Sequence, residues 1–169
     1  MIKISVIIIL GFASFSFSQE ADTSTVVQLG QVAPNFTVQT LDGETIQISD
    51  LKGKVVLLNF FATWCGPCNE ELPELEKTIW PKFRDKDYVQ LSIGREHTKE
   101  ELLKFRKGKE LTIPMASDPE RKIYSMFAKI YIPRNVVIGK DGKIAYLEMG
   151  FDEEKGAALI QAIEDQLKL

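Results

Sequence analysis

The sequence predicts an α/β fold, a mixed central β-sheet flanked by helices. Three observations carry that expectation. Val55 to Ala62 is an apolar run of strand length, as a strand buried on both faces requires, and it turns at Gly66-Pro67 into a helical stretch rich in Glu and Leu. Two Asp-Gly pairs, Asp42-Gly43 and Asp141-Gly142, each lie between alternating segments and read as hairpin turns. Thr98 followed by Glu101 forms a capping box, and Ile160, Ile163 and Leu167 recur at helical spacing near the end of the chain.

In chain order, residues 1–18 have the pattern of an export signal. Lys3 supplies a short positive start, Ile4 to Phe17 is apolar, and Ser16-Phe17-Ser18 places small residues at a cleavage position, so the mature chain would begin near Gln19. The alternative is an uncleaved anchor, but the apolar run falls short of the ~20 residues of a spanning helix and is weakened by Gly11, Ser14 and Ser16. Residues 19–28 are polar and read as a flexible lead-in. Residues 29–169 form the expected domain, a length that can bury a real core.

Within that domain, Phe36 to Thr40 and Thr45 to Ile48 alternate as an N-terminal β-hairpin, and Ser49 to Lys54 leads into the central strand. Tyr88 to Ile93 is the next strand, and the helix capped by Thr98 runs to about Lys107. Leu111 to Met115 is ambiguous. Asp118-Pro119 reads as the cap and first turn of a short inserted helix carrying Ile123 and Phe127 on one face. Asn135 to Ile138 and Lys143 to Glu148 form a second hairpin, and Glu153 to Leu167 the last helix. The net charge of −3 provides no basic face for nucleic acid.

The chemistry concentrates at Cys65 and Cys68, the chain's two cysteines, delivered by a strand to the start of a helix. The positive end of the helix dipole favours a thiolate at the first of them, and the Cys-x-x-Cys spacing lets the second thiol attack a mixed disulfide made by the first. A zinc site would need about four ligands, which two cysteines and the distant His97 cannot easily supply. Haem attachment would need His where Asn69 stands, and a structural disulfide over so short a loop would gain little chain entropy. No cofactor is expected beyond the Cys65-Cys68 dithiol/disulfide itself. His97, in a polar stretch ahead of a helix, reads as a surface residue.

Trp64-Cys65-Gly66-Pro67-Cys68 resembles the active site of the thioredoxin superfamily, and Pro73 matches that family's helix-kinking proline. The Ala33-Pro34-Asn35-Phe36 start, the Leu41-Asp42-Gly43 turn and the Leu51-Lys52-Gly53-Lys54 approach are similar to its TlpA/ResA-like branch, an opening that peroxiredoxins share. The resemblance implies a thioredoxin-like fold. It implies that Pro133, after Ile132, is a cis-proline whose loop packs against the cysteines and aims the Ile132 backbone at an extended substrate. Trp64, Gly66, Pro67, Ile132 and Arg134 are thereby expected to contact substrate. Arg134 departs from the family's usual Thr, and it is expected either beside Cys65, favouring its thiolate, or solvated.

Asn59 stands where thioredoxin has a buried Asp, whereas the TlpA/ResA-like branch commonly has Asn there with a Glu three residues past the second cysteine, here Glu71. Residues three apart share a helix face, so Glu71 is expected to approach Cys68, raise its pKa and shuttle its proton, against the alternative of a surface carboxylate. The family implies an extracytoplasmic, or periplasmic, thiol–disulfide oxidoreductase, a reductase acting on protein disulfides and supplied by a membrane thiol–disulfide electron donor. It would touch the membrane only through an uncleaved signal segment. Two rival readings are a thiol peroxidase, whose Pro-x-x-x-Thr-x-x-Cys context is not met because Thr63 lies two residues before Cys65, and a non-catalytic peptide-binding module.

Overall fold

The computed structural model describes residues 23–169. The expected signal segment, residues 1–18, and the first part of the lead-in lie outside the described residues. β1 (Thr37–Gln39) and β2 (Thr45–Gln47) form a small antiparallel sheet, closed by a turn in which Gly43 takes φ 93°. A 3-10 turn, Ile48–Leu51, then leads to the main sheet.

That sheet has five strands in the order β5-β4-β3-β6-β7. Its centre is β3 (Val55–Phe61), buried at every position. β4 (Tyr88–Arg95) runs parallel to it on one side and β6 (Arg134–Ile138) antiparallel on the other, with Asn59 opposite Asn135. β7 (Ile144–Met149) closes one edge and β5 (Met115–Asp118) the other.

The two-residue period of β3 sorts the core into two layers. Val56, Leu58 and Phe60 face Phe36 and Val38 of the hairpin region together with Tyr124 and Phe127. Val55, Leu57 and Phe61 face Leu72, Phe83, Leu102, Leu159 and Ile163 from the helices on the opposite face. Those helices are α1 (Gly66–Glu74), which continues through a π-wound turn, Leu75–Ile79, into α2 (Trp80–Phe83), then α3 (Lys99–Gly108) and α5 (Glu153–Lys168). Pro73 lies inside α1 and has no N–H to donate; just past it the Leu75 N–H is shared between the Glu71 and Leu72 carbonyls, and the winding then loosens, with the Trp80 N–H reaching back five residues to the Leu75 carbonyl.

Three elements differ from expectation. The ambiguous stretch before Pro119 holds β5, four residues long, whose outer side is covered where Leu41 N–H donates to the Met115 carbonyl at 2.8 Å. Asp118 ends that strand instead of starting a helix, and its carboxylate accepts from the Tyr124 N–H at 2.8 Å, capping the short α4 (Tyr124–Phe127) from six residues away. Residues 23–28, the described end of the expected flexible lead-in, are tied along the domain: Val26 N–H donates to Phe127, Lys129 N–H donates to Ser24, and Val27 is buried. No helix among the described residues is long and apolar enough to cross a membrane.

Candidate functional site

The carboxyl end of β3 releases the chain into Ala62-Thr63-Trp64, and α1 begins at Gly66 with Pro67 in its first turn, where the missing proline N–H leaves no carbonyl wanting. Cys65 is the N-cap of α1. Its sulfur accepts the Cys68 N–H at 3.3 Å, the contact a capping oxygen ordinarily makes. Cys65 and Cys68 are joined as a disulfide with their Cα atoms 5.3 Å apart. The two sulfurs are not equivalent. Cys68 lies wholly inside the core layer beneath α1, whereas Cys65 is 6% exposed at the edge of an open cleft.

That cleft, about 380 Å³, is lined by Trp64, Gly66, Pro67, Tyr131 and Ile132 as well as Cys65, together with Arg95. Trp64 is 62% exposed and forms its apolar rim with Tyr131. The Ile132-Pro133 peptide bond is cis, and the Ile132 carbonyl oxygen lies 3.7 Å from Cys65 Sγ. A thiol at Cys65 can donate to that oxygen; a disulfide sulfur has no proton to give. Tyr131 sits in the left-handed region at φ 71° and is held there by the Tyr124 hydroxyl, which donates to its carbonyl at 2.7 Å.

Arg134 is in neither of its expected places. It is buried, and it lines a different cavity with Thr25 to Gln28 and Met149. Its guanidinium donates to the Ile130 and Tyr131 carbonyls, to Thr25 Oγ1 and to Ser24 Oγ. It therefore ties the loop before Pro133 to the start of the described chain.

Glu71 is not a surface carboxylate. As an odd-numbered residue of β3, Asn59 projects toward the face covered by α1, where Glu71 descends to meet it. Asn59 Nδ2 donates to Glu71 Oε2 at 2.7 Å, Asn135 Nδ2 donates to Oε1 at 2.6 Å, and Asn59 Nδ2 also donates to Asn135 Oδ1 at 3.0 Å. All three residues are buried. Burial pushes the Glu71 carboxyl up to about 7, with the two amide donors opposing the rise. A carboxyl poised near neutrality, one helical turn from the wholly buried Cys68, can take up and return a proton at working pH.

Further residues of the site were not legible in the sequence. His97 is 7% exposed, not a surface residue: Nε2 accepts the Thr63 N–H at 2.9 Å, which places its proton on Nδ1, facing Glu101 Oε2 at 3.6 Å. Asn69 Nδ2 donates to the carbonyls of Thr63 and Cys65 at 2.8 and 2.9 Å, so the loop before Cys65 is held from both sides. Arg95 closes β4 and reaches the cleft. The signal that finds His97 and Arg95 is topological: β4 is the parallel neighbour of β3, and in such sheets sites gather beyond the carboxyl ends of adjacent strands.

A family model described as AhpC/TSA family matches residues 29–147. The chain is similar to the thiol-disulfide oxidoreductase ResA of Bacillus thuringiensis subsp. konkukian, 32% identical over 166 residues, 98% of this chain and 92% of that protein. Among solved structures it is similar to a candidate protein disulfide isomerase from Bacteroides thetaiotaomicron, 39% identical with a TM-score of 0.82, over 86% of this chain and 94% of that one. It is also similar to a candidate thiol:disulfide interchange protein DsbE from Chlorobium tepidum, 26% identical with a TM-score of 0.73, over 83% and 99% of the two chains.

Proposed function

The chain belongs to the AhpC/TSA family of thioredoxin-like proteins and is a thiol–disulfide oxidoreductase, and on that premise we propose that it reduces disulfides of proteins outside the cytoplasm. The observation that carries the reading is the asymmetry of the cysteine pair: one sulfur at the mouth of a cleft beside the Ile132-Pro133 backbone, the other sealed beneath a helix with a buried carboxyl one turn away.

In the reduced protein, the Cys65 thiolate attacks one sulfur of a substrate disulfide. That S–S bond breaks, the substrate's other sulfur leaves as a thiolate and takes a proton from water, and Cys65 is held in a mixed disulfide. Glu71 accepts the proton of Cys68. The Cys68 thiolate then attacks Cys65 Sγ, releasing the substrate's second sulfur as a thiolate and closing the Cys65–Cys68 disulfide. Two electrons pass to the substrate, and Glu71 returns its proton to solvent or to the leaving sulfur. Trp64, Gly66, Pro67 and Ile132 position the substrate segment, with the backbone at Ile132 offering it an extended partner.

The export-like pattern of residues 1–18 supports an extracytoplasmic site of action, and a reductase in an oxidising compartment needs a supply of electrons, which a membrane thiol–disulfide carrier would provide. Equilibration with glutathione tests the direction. A reductase is expected to have a potential more negative than about −200 mV, while a value near about −120 mV would mark an oxidant.

A further inference from the structure

The cleft beside Cys65 contains a cation that the exchange steps above do not use. Arg95 is only 9% exposed. Its guanidinium is stacked 4.9 Å from the Tyr124 ring and 5.4 Å from the Trp64 ring, and its Nε is buried with no hydrogen-bond partner. The one carboxylate paired with it among the described residues is Glu96, whose Oε2 lies 3.7 Å from Nε, too far for a hydrogen bond. Glu96 is also shared with Arg121, whose Nε is likewise unpartnered and whose guanidinium stacks on Tyr124 at 5.2 Å. Two guanidinium groups thus converge on one ring with one carboxylate between them.

A guanidinium N–H buried without an acceptor is costly, and two aromatic faces offset only part of that cost. Its planar, fixed donors suit a carboxylate arriving from the open side of the cleft. We propose that Arg95 is a carboxylate receptor, and that the protein selects disulfides carrying an acidic group next to the cysteine that Cys65 attacks. The inference rests on the oxidoreductase reading and adds its substrate class. The aromatic rim takes the apolar part of the substrate segment, and Arg95 fixes its register by holding the acid. The carboxylate can belong to an Asp or Glu of a protein or to a small thiol compound of the glutathione type.

The test uses reduced protein and two families of disulfide. The first is a set of peptide disulfides identical except for Glu, Gln or Lys beside the target cysteine. The second is glutathione disulfide set against its carboxyl-esterified form. A charge-assisted hydrogen bond to the carboxylate predicts that the Glu peptide reacts about tenfold faster than the Gln peptide, with the Lys peptide slower again. In Arg95→Gln that ratio falls to near one, and in Arg95→Lys it is partly kept. Preference in the peptides assigns the carboxylate to protein substrates; preference only in the glutathione pair assigns it to a small thiol. Equal rates across both sets in the wild-type protein overturn the proposal even if Arg95→Gln does not fold. Reduction of none of the disulfides, the neutral ones included, instead overturns the oxidoreductase reading beneath it.

Discussion

Glu71 is a carboxyl buried in the oxidised protein with two asparagine amides as its donors and a proton affinity moved from 4.5 to about 7. Because the folded state binds that proton more tightly than the unfolded chain, its contribution to stability is full below pH 4.5 and is lost as the pH rises toward 7. The whole effect is about 3 kcal/mol. Glu71→Gln keeps the shape and abolishes the titration, so urea unfolding at pH 4.5 and pH 7.5 is expected to lose a pH dependence of this sign and size in the variant. An identical pH dependence in both proteins would contradict the burial argument. The same variant should lower the pKa of Cys68 and slow turnover, read by alkylation rates across pH; superimposable thiol titrations would deny Glu71 its role. The residue was legible from its spacing to Cys68 and from Asn59. Asn135 was not, because only the antiparallel register of β6 against β3 sets it opposite Asn59. His97 and Arg95 were hidden for a related reason: they lie about 30 residues from the cysteines and reach the site through strand pairing, which no local pattern encodes.

Elements with strong local signals were read to within a residue or two. The capping box of α3 is present, with Glu101 N–H donating to Thr98 Oγ1 and Thr98 N–H to Glu101 Oε2. Both hairpins turn at their Asp-Gly pairs. The failure fell on β5 and α4, each four residues long, where Met-Ala-Ser-Asp has no β-branched residue and Asp118-Pro119 imitates a helix start. Tertiary pairing decides such short segments. The two kinds of element give contrasting expectations. Thr98→Ala should cost about 1 kcal/mol in stability, since it unties the start of α3. Asp118→Ala leaves the buried Tyr124 N–H without its acceptor and should cost about 1–3 kcal/mol. It should also slow reduction, because Tyr124 donates to Tyr131 and so holds the loop before Pro133. Denaturant unfolding combined with insulin turnover reads both variants, and an Asp118→Ala protein with unchanged stability and turnover would contradict the role given to this carboxylate.

At the scale of the whole molecule, the fold rests on two apolar layers sorted by the alternation of β3, and the disulfide contributes little to it. The bridge closes a loop with a sequence separation of three, so reduction should change stability by about 2 kcal/mol at most, with the same far-ultraviolet spectrum in both states. A reduced protein unfolded at neutral pH would contradict this. The fold class was legible from one buried strand followed by a helix and from the two hairpin turns, and the thioredoxin-like form of the sheet from the resemblance around Trp64 to Cys68, whereas the docking of residues 23–28 depends on Arg134, Phe127 and Lys129 far along the chain. The same layering exposes one sulfur and seals the other, and the exchange chemistry depends most on that difference. Its most direct test is trapping in the native host under acid quench. Cys68→Ser keeps the attacking thiol and removes the resolving one, so it should accumulate partner proteins that dithiothreitol releases, while Cys65→Ser should trap almost none. Equal trapping by the two variants, or trapping by neither while peptide binding persists, would contradict the assignment of Cys65 as nucleophile and Cys68 as resolving thiol.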